Sequence, residues 1–185
     1  MLKDIKFRVT ILALVLFSCV TSKKTNTASS DLLNNIVAEK SFDIKLQFAQ
    51  PRTSSSYNKV ANAGLLPPGS SAGQVNITGN TSYFKVKNDS VFAHLPYFGE
   101  RFMGSGYGNG DGSIEFEGIA KNIEITNNKT GSYNMNFSIN DKKNTTENYN
   151  VFVKLYNNQN ASIIINSSQR SGIRYSGNLK SNHKK

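Results

Sequence analysis

Residues 42–51 read FDIKLQFAQP, and their alternation decides the fold: Phe42, Ile44, Leu46 and Phe48 fall on one side of an extended chain, with Asp43, Lys45 and Gln47 on the other. A period of two is the signature of a strand with one wet face. The same pattern recurs at short intervals over 74–78, 82–87, 90–95, 113–117, 119–127, 132–140, 147–156, 161–166 and 172–179. The breaks hold Asn, Gly or Asp, as at Asn88-Asp89, 127–131 and 157–160, residues that tolerate the positive φ of hairpin turns. Closely spaced strands without intervening helices predict an antiparallel meander. The chain is therefore read as mainly β, a single β-barrel (a lipocalin-like barrel being one form) or a β-sandwich.

Upstream of these strands, Ser30-Asp31 can cap a short helix, and Leu32, Leu33, Ile36 and Val37 recur at helical spacing. One short N-terminal helix is expected. Residues 51–73 are rich in Ser, Asn, Gly and Pro, with Leu65-Leu66 the one strong apolar spot. That stretch is expected to be an irregular or disordered insertion, with a lid over an opening of the domain as its functional alternative.

The N-terminus carries an address. MLKDIKFR holds three basic side chains, and residues 9–17 are almost wholly apolar up to Cys19, the single cysteine. Such a run is roughly half the ~20 residues a spanning helix needs, so it reads as an export signal. Leu16-Phe17-Ser18-Cys19 is similar to a bacterial lipobox, which predicts cleavage before Cys19 and attachment of fatty-acyl chains such as palmitate there. The organisation expected is a lipoprotein signal at 1–18, a flexible polar tether at 19–29, one β domain at 30–180 and a basic tail at 181–185. No acidic run follows Cys19, which favours an outer-membrane anchor facing the periplasm.

The formal charge is +10 for the whole chain, and loss of Lys3, Asp4, Lys6 and Arg8 leaves 19 basic and 11 acidic side chains, or +8. Its lysines are scattered and no basic stripe interleaves with stacking aromatics, so nucleic acid is not expected as a partner. The membrane, through the anchor, and a small hydrophobic or anionic envelope ligand or a partner protein are.

Chemistry concentrates in residues 95–118, LPYFGERFMGSGYGNGDGSIEFEG, and in RSGIRYSG at 170–177. Pro96 cannot donate to a ladder, so LPYFG belongs at a bend or edge, with Tyr97 and Phe98 facing opposite ways. Glycine at 104, 106, 108, 110 and 112 reads as a mobile hairpin tip. Asn109 to Ile114 matches the middle of a calcium loop, but Tyr107 and Gly118 stand where its first and last acidic ligands belong, so no metal and no cofactor are expected. Tyr97, Arg170, Arg174 and Tyr175 are the candidate ligand-binding residues, read either as a rim for an anionic ligand or as ordinary strand residues with paired charges. The histidines are His94 and His183, and no catalytic residue is assigned. The function expected is a non-enzymatic binding or structural module. The alternative is a hydrolase of envelope lipids or glycans using Glu100, Asp111 or Glu115, with or without His94.

Phe48-Ala49-Gln50-Pro51, LPYFGERF at 95–102, Gly112 to Phe116, and Arg170 with Tyr175-Ser176-Gly177 together resemble the family called domain of unknown function 4251. These marks span most of the mature chain. The resemblance implies a small exported bacterial protein, often with a lipobox signal, and an all-β domain. It implies no activity, substrate or catalytic residue, and the glycine run here is longer than the family's usual pattern.

Overall fold

The structure is a computed structural model and describes residues 27–103, 112–128 and 130–181. The signal segment, Cys19, Asp111, His183, the glycine run up to Asp111 and the last four residues of the basic tail lie outside these residues.

Among the described residues there are ten strands: β1 (Ser41–Pro51), β2 (Val75–Asn76), β3 (Tyr83–Lys87), β4 (Ser90–Leu95), β5 (Ile114–Ile119), β6 (Lys121–Asn127), β7 (Tyr133–Asn140), β8 (Asn148–Leu155), β9 (Asn160–Ser167) and β10 (Ile173–Ser181). They form one antiparallel sheet in the order β5-β4-β3-β1-β10-β9-β8-β7-β6, with β2 beside the far end of β1. Asn88, Gln159 and Gly131 adopt positive φ in the turns where asparagine- and glycine-rich breaks were expected.

The ends of this path meet. β5 and β6 run in the same direction and only Ala120 separates them. Ala120 N–H still donates to the Asp89 carbonyl at 2.9 Å, extending the β4 ladder, while Lys121 already pairs with Ser138 of β7. The two are thus one kinked strand that leaves β4 and joins β7. Gly118 (φ 143°) and Asn122 (φ 55°) supply the kink. At the seam Lys142 N–H donates to the Glu115 carbonyl at 2.8 Å, and Lys142 pairs with Glu117 at 2.6 Å. Counting the kinked strand once and leaving aside the two-residue β2, the fold is a nearly closed up-and-down barrel of eight strands. The barrel form, and not the sandwich, is realised.

An eight-stranded barrel is just wide enough for side chains to fill it. Inward residues do so here: Phe116 packs against Phe84, Phe137 and Tyr149 at 6.2, 6.3 and 5.8 Å between ring centroids. Rings meeting edge-on or tilted gain quadrupole attraction beyond the area they bury. Where β1 bulges between Leu46 and Phe48, β10 places Gly177 opposite Leu46. A Cβ there would overlap the Lys45 carbonyl oxygen and sit 2.9 Å from the Leu46 Cα, so glycine lets the two backbones touch.

Helix α1 (Thr27–Ala38) closes the end at which β1 begins, burying Leu33, Ile36 and Val37 as their spacing predicted. Its Asn34 accepts a hydrogen bond from Tyr133, at the start of β7, at 2.9 Å. The helix begins at Thr27, ahead of the Ser30-Asp31 cap and inside the stretch read as tether. A second helix, α2 (Ser55–Asn62), corrects the expectation of a single helix and of an irregular 51–73 insertion. Ser54 caps it, its hydroxyl accepting from Tyr57 N–H at 3.1 Å, and Tyr57 is buried. One buried ring fixes a helix whose composition is otherwise that of a loop.

The upper mouth as a candidate functional site

The end opposite α1, the mouth, is built from the connections that leave β1, β4, β7 and β9. In the β7–β8 connection Asp141 folds the chain over itself, its Oδ1 accepting from the N–H groups of Lys143 and Asn144 at 2.8 and 2.7 Å. Its Oδ2 accepts from the buried Tyr149 hydroxyl at 2.6 Å. Burial, and then that bond to a carboxylate, push the Tyr149 phenol well above its ordinary range.

Glu147, wholly buried, is the centre of the mouth. Arg170, 3% exposed, grips it with two parallel bonds, Nε to Oε1 at 2.6 Å and Nη2 to Oε2 at 2.7 Å. The Ser167 hydroxyl also donates to Glu147, and Arg101 stands 3.8 Å away. Burial alone would raise the Glu147 carboxyl, but the bonds from Arg170 and Ser167 and the charges of both arginines hold it below its ordinary value. The remaining nitrogen of Arg170 donates to the carbonyls of Gly112 and Ser113 at 2.9 and 3.3 Å, which pins the chain entering β5. The guanidinium lies 5.0 Å from the centre of the Tyr97 ring.

LPYFG forms the rest of the rim. The Tyr97 hydroxyl is 2.9 Å from the carbonyls of Glu100 and Ser171 and 2.8 Å from the Ser171 hydroxyl. Burial is the main reason its phenol is raised. Tyr175 is fully buried and donates to the Pro96 carbonyl at 2.9 Å. Of the four rim residues read from sequence, Arg170, Tyr97 and Tyr175 therefore meet, each through bonds inside the protein. Arg174 does not join them: alternation along β10 puts Ile173 and Tyr175 inside and Arg174 on the outer wall, paired in register with Gln50 and Ile164.

Of the carboxylates named for a hydrolase, Glu100 and Glu115 fall among the described residues. Glu100 is exposed at the mouth. Glu115 is on the barrel wall, 2.6 Å from Lys143 Nζ and 3.1 Å from His94 Nδ1. The Lys143 bond is the main reason its carboxyl is lowered. Ser113 hydroxyl donates to this same Glu115 at 3.0 Å, so the acid stands between serine and histidine.

Sequence reasoning missed a groove of about 340 Å³ beside the rim. Tyr57 and Val60 of α2 line one side, Leu65, Leu66 and Pro67 another, and Phe98 to Glu100 a third. Val60 and Leu65 stand 42% and 72% exposed. Leu65-Leu66 stands out in the sequence, but the helix that faces it does not. Its only local signal was a cap at Ser54 with Tyr57 and Val60 three apart.

The family model for DUF4251, a domain of unknown function, matches residues 24–179. The chain belongs to this family. A crystal structure of a DUF4251 family protein from Bacteroides eggerthii DSM 20697 is similar, with a TM-score of 0.55 at 19% identity, over 82% of this chain and 87% of that one. At that identity the likeness is one of fold. No curated protein matches the chain. The stretches that resembled DUF4251 in sequence converge in space: Phe48-Ala49 pairs with Ser176 and Tyr175, Tyr175 reaches Pro96, and Arg170 reaches Gly112. In this DUF4251 chain they form one connected knot that shapes the mouth.

Proposed function

We propose that this protein is a lipid-anchored, non-enzymatic binding module of the bacterial cell envelope, with the groove at its mouth as the recognition surface. The observation that carries the reading is the apolar groove itself, which lies at the lower end of the 300–1,000 Å³ range of ligand sites. It sits on a barrel whose interior is filled by its own rings, so the mouth is where a ligand would be received. The rim beside the Glu147–Arg170 pair supports the same reading, since Tyr97 and Ser171 hold Glu100 in the wall of the groove.

The lipobox-like Leu16 to Cys19 supports the anchor, and with it an outer-membrane address facing the periplasm. With the chain anchored upstream of α1, the mouth is at the far end of the barrel from the membrane. The partners of Glu115, Lys143 at 2.6 Å and His94 at 3.1 Å, support a binding role over hydrolysis, because a carboxyl held ionised by a lysine is poorly suited to donate a proton.

Fractionation of cells expressing wild type and Cys19→Ala tests the anchor: the wild type is expected with membranes and the variant in the soluble fraction. Equal partitioning, with no acyl label on Cys19, would falsify it. Mass spectrometry of small molecules extracted from the purified mature domain tests the binding role. An apolar compound lost on Leu65→Asp is expected, and an identical extract from both proteins counts against the groove.

A further inference from the structure

The groove has one polar feature in its wall that no described residue satisfies. Tyr57 lines it and is 7% exposed, and its hydroxyl is buried with no hydrogen-bond partner among the described residues. A buried hydroxyl left unpaired costs about 1–3 kcal/mol, and such orphans are uncommon enough to require an explanation. Tyr175, fully buried in the same end of the barrel, donates to Pro96. Tyr149 donates to Asp141. Tyr57 differs from both in bordering open space and not packed backbone.

The charge of the groove adds a second constraint. Among the described residues lining it, Glu100 alone is charged. An anionic ligand would meet like charge at the rim, although the chain as a whole is strongly basic. Volume adds a third: at roughly 30 Å³ for each water-sized group, 340 Å³ holds about eleven non-hydrogen atoms.

We infer that the groove takes a small uncharged amphiphile, an apolar chain or ring system of about eleven non-hydrogen atoms with one hydrogen-bonding oxygen, and that Tyr57 donates to that oxygen. This rests on the groove being the recognition surface, and it discards the anionic class of ligand. The hydroxyl is covered in the free protein, so the oxygen reaches it when a neighbouring side chain turns aside. Leu65, 72% exposed against 42% for Val60, is the more open of the two exposed aliphatic side chains lining the groove. The orphan donor is then a preformed half of the binding interaction, left unmade until the ligand arrives.

Decan-1-ol and decanoate, the same chain with a neutral or an anionic head, separate the possibilities. Binding is followed by methyl chemical shifts of Val60, Leu65 and Leu66 in the mature protein, and by displacement of the neutral dye N-phenyl-1-naphthylamine. Decan-1-ol should shift those methyls and displace the dye, with decanoate about tenfold weaker at neutral pH because of Glu100. Glu100→Gln should narrow that gap. Tyr57→Phe should bind decan-1-ol about five- to tenfold more weakly, the worth of one hydrogen bond, while melting no lower than wild type, since it deletes an unpaired group. Equal affinity of wild type and Tyr57→Phe would overturn the donor assignment and leave the groove standing. Decanoate binding as well as the alcohol would overturn the ligand class. No shift at Val60, Leu65 or Leu66 with either compound would overturn this inference and the proposed recognition surface together.

Discussion

Replacing Glu147 with alanine leaves the Arg170 guanidinium, 3% exposed, without the carboxylate that holds its Nε and Nη2. Two short charged bonds vanish at once, the Ser167 hydroxyl loses its acceptor, and the mouth retains two arginines. Breaking a buried pair from one side costs about 3–5 kcal/mol, because the surviving charge remains desolvated. For a chain of this size, 1 kcal/mol moves the melting temperature by about 2–4 °C, so a fall of about 6–20 °C is expected by calorimetry. Removing both charges in Glu147→Leu with Arg170→Met should recover most of the loss, since an apolar replacement of a buried pair is often neutral or stabilising. Acidity gives an independent reading. The folded carboxyl titrates below its ordinary value near 4.5, so Glu147 adds stability that is complete above that value and is lost as pH falls through its lower folded value. The wild type should therefore weaken below about pH 5 more steeply than the double variant. A Glu147→Ala protein that melts within about 2 °C of wild type would refute the claim that this pair holds the mouth together.

Gly177→Ala should destabilise by about 1–3 kcal/mol in urea titration, because the new methyl meets the backbone of β1 at Lys45 and Leu46 and not a side chain that can turn away. Tyr149→Phe removes the donor to Asp141 at 2.6 Å while keeping the ring against Phe116. A cost of about 1.5–3 kcal/mol is expected from a bond to a charged acceptor, and a loss under about 0.5 kcal/mol would mean that Asp141 is satisfied elsewhere.

Much of the barrel was legible along the chain because alternation is a local property. Ile163 and Ile165 point inward and Ser162 and Ile164 outward whatever lies beside them. The turn residues were readable for the same reason: Asn88 at positive φ is a choice made over two or three residues. Barrel or sandwich could not be decided that way, because it depends on pairing β1 with β10, some 130 residues apart in sequence, and on one strand changing partners at Ala120.

Helix α2 was hidden by composition. Ser55 to Asn62 has no continuous apolar stripe, and its stability comes from placing Tyr57 against the core, a tertiary contact. The candidate site was half legible. Tyr97, Arg170 and Tyr175 meet in space, but their partners Glu147, Ser171 and Pro96 lie 23 to 79 positions away from the side chains they satisfy. Arg170 and Arg174 look alike in sequence. One is buried against a carboxylate and the other faces outward on the wall.

What the amino-acid order determined by itself was the strand pattern, the turns and one helix, all set by steric and hydropathic preferences acting within a few residues. Only the closed fold decided which charges meet and where a groove opens, because desolvation and pairing depend on neighbours that the chain brings in from afar.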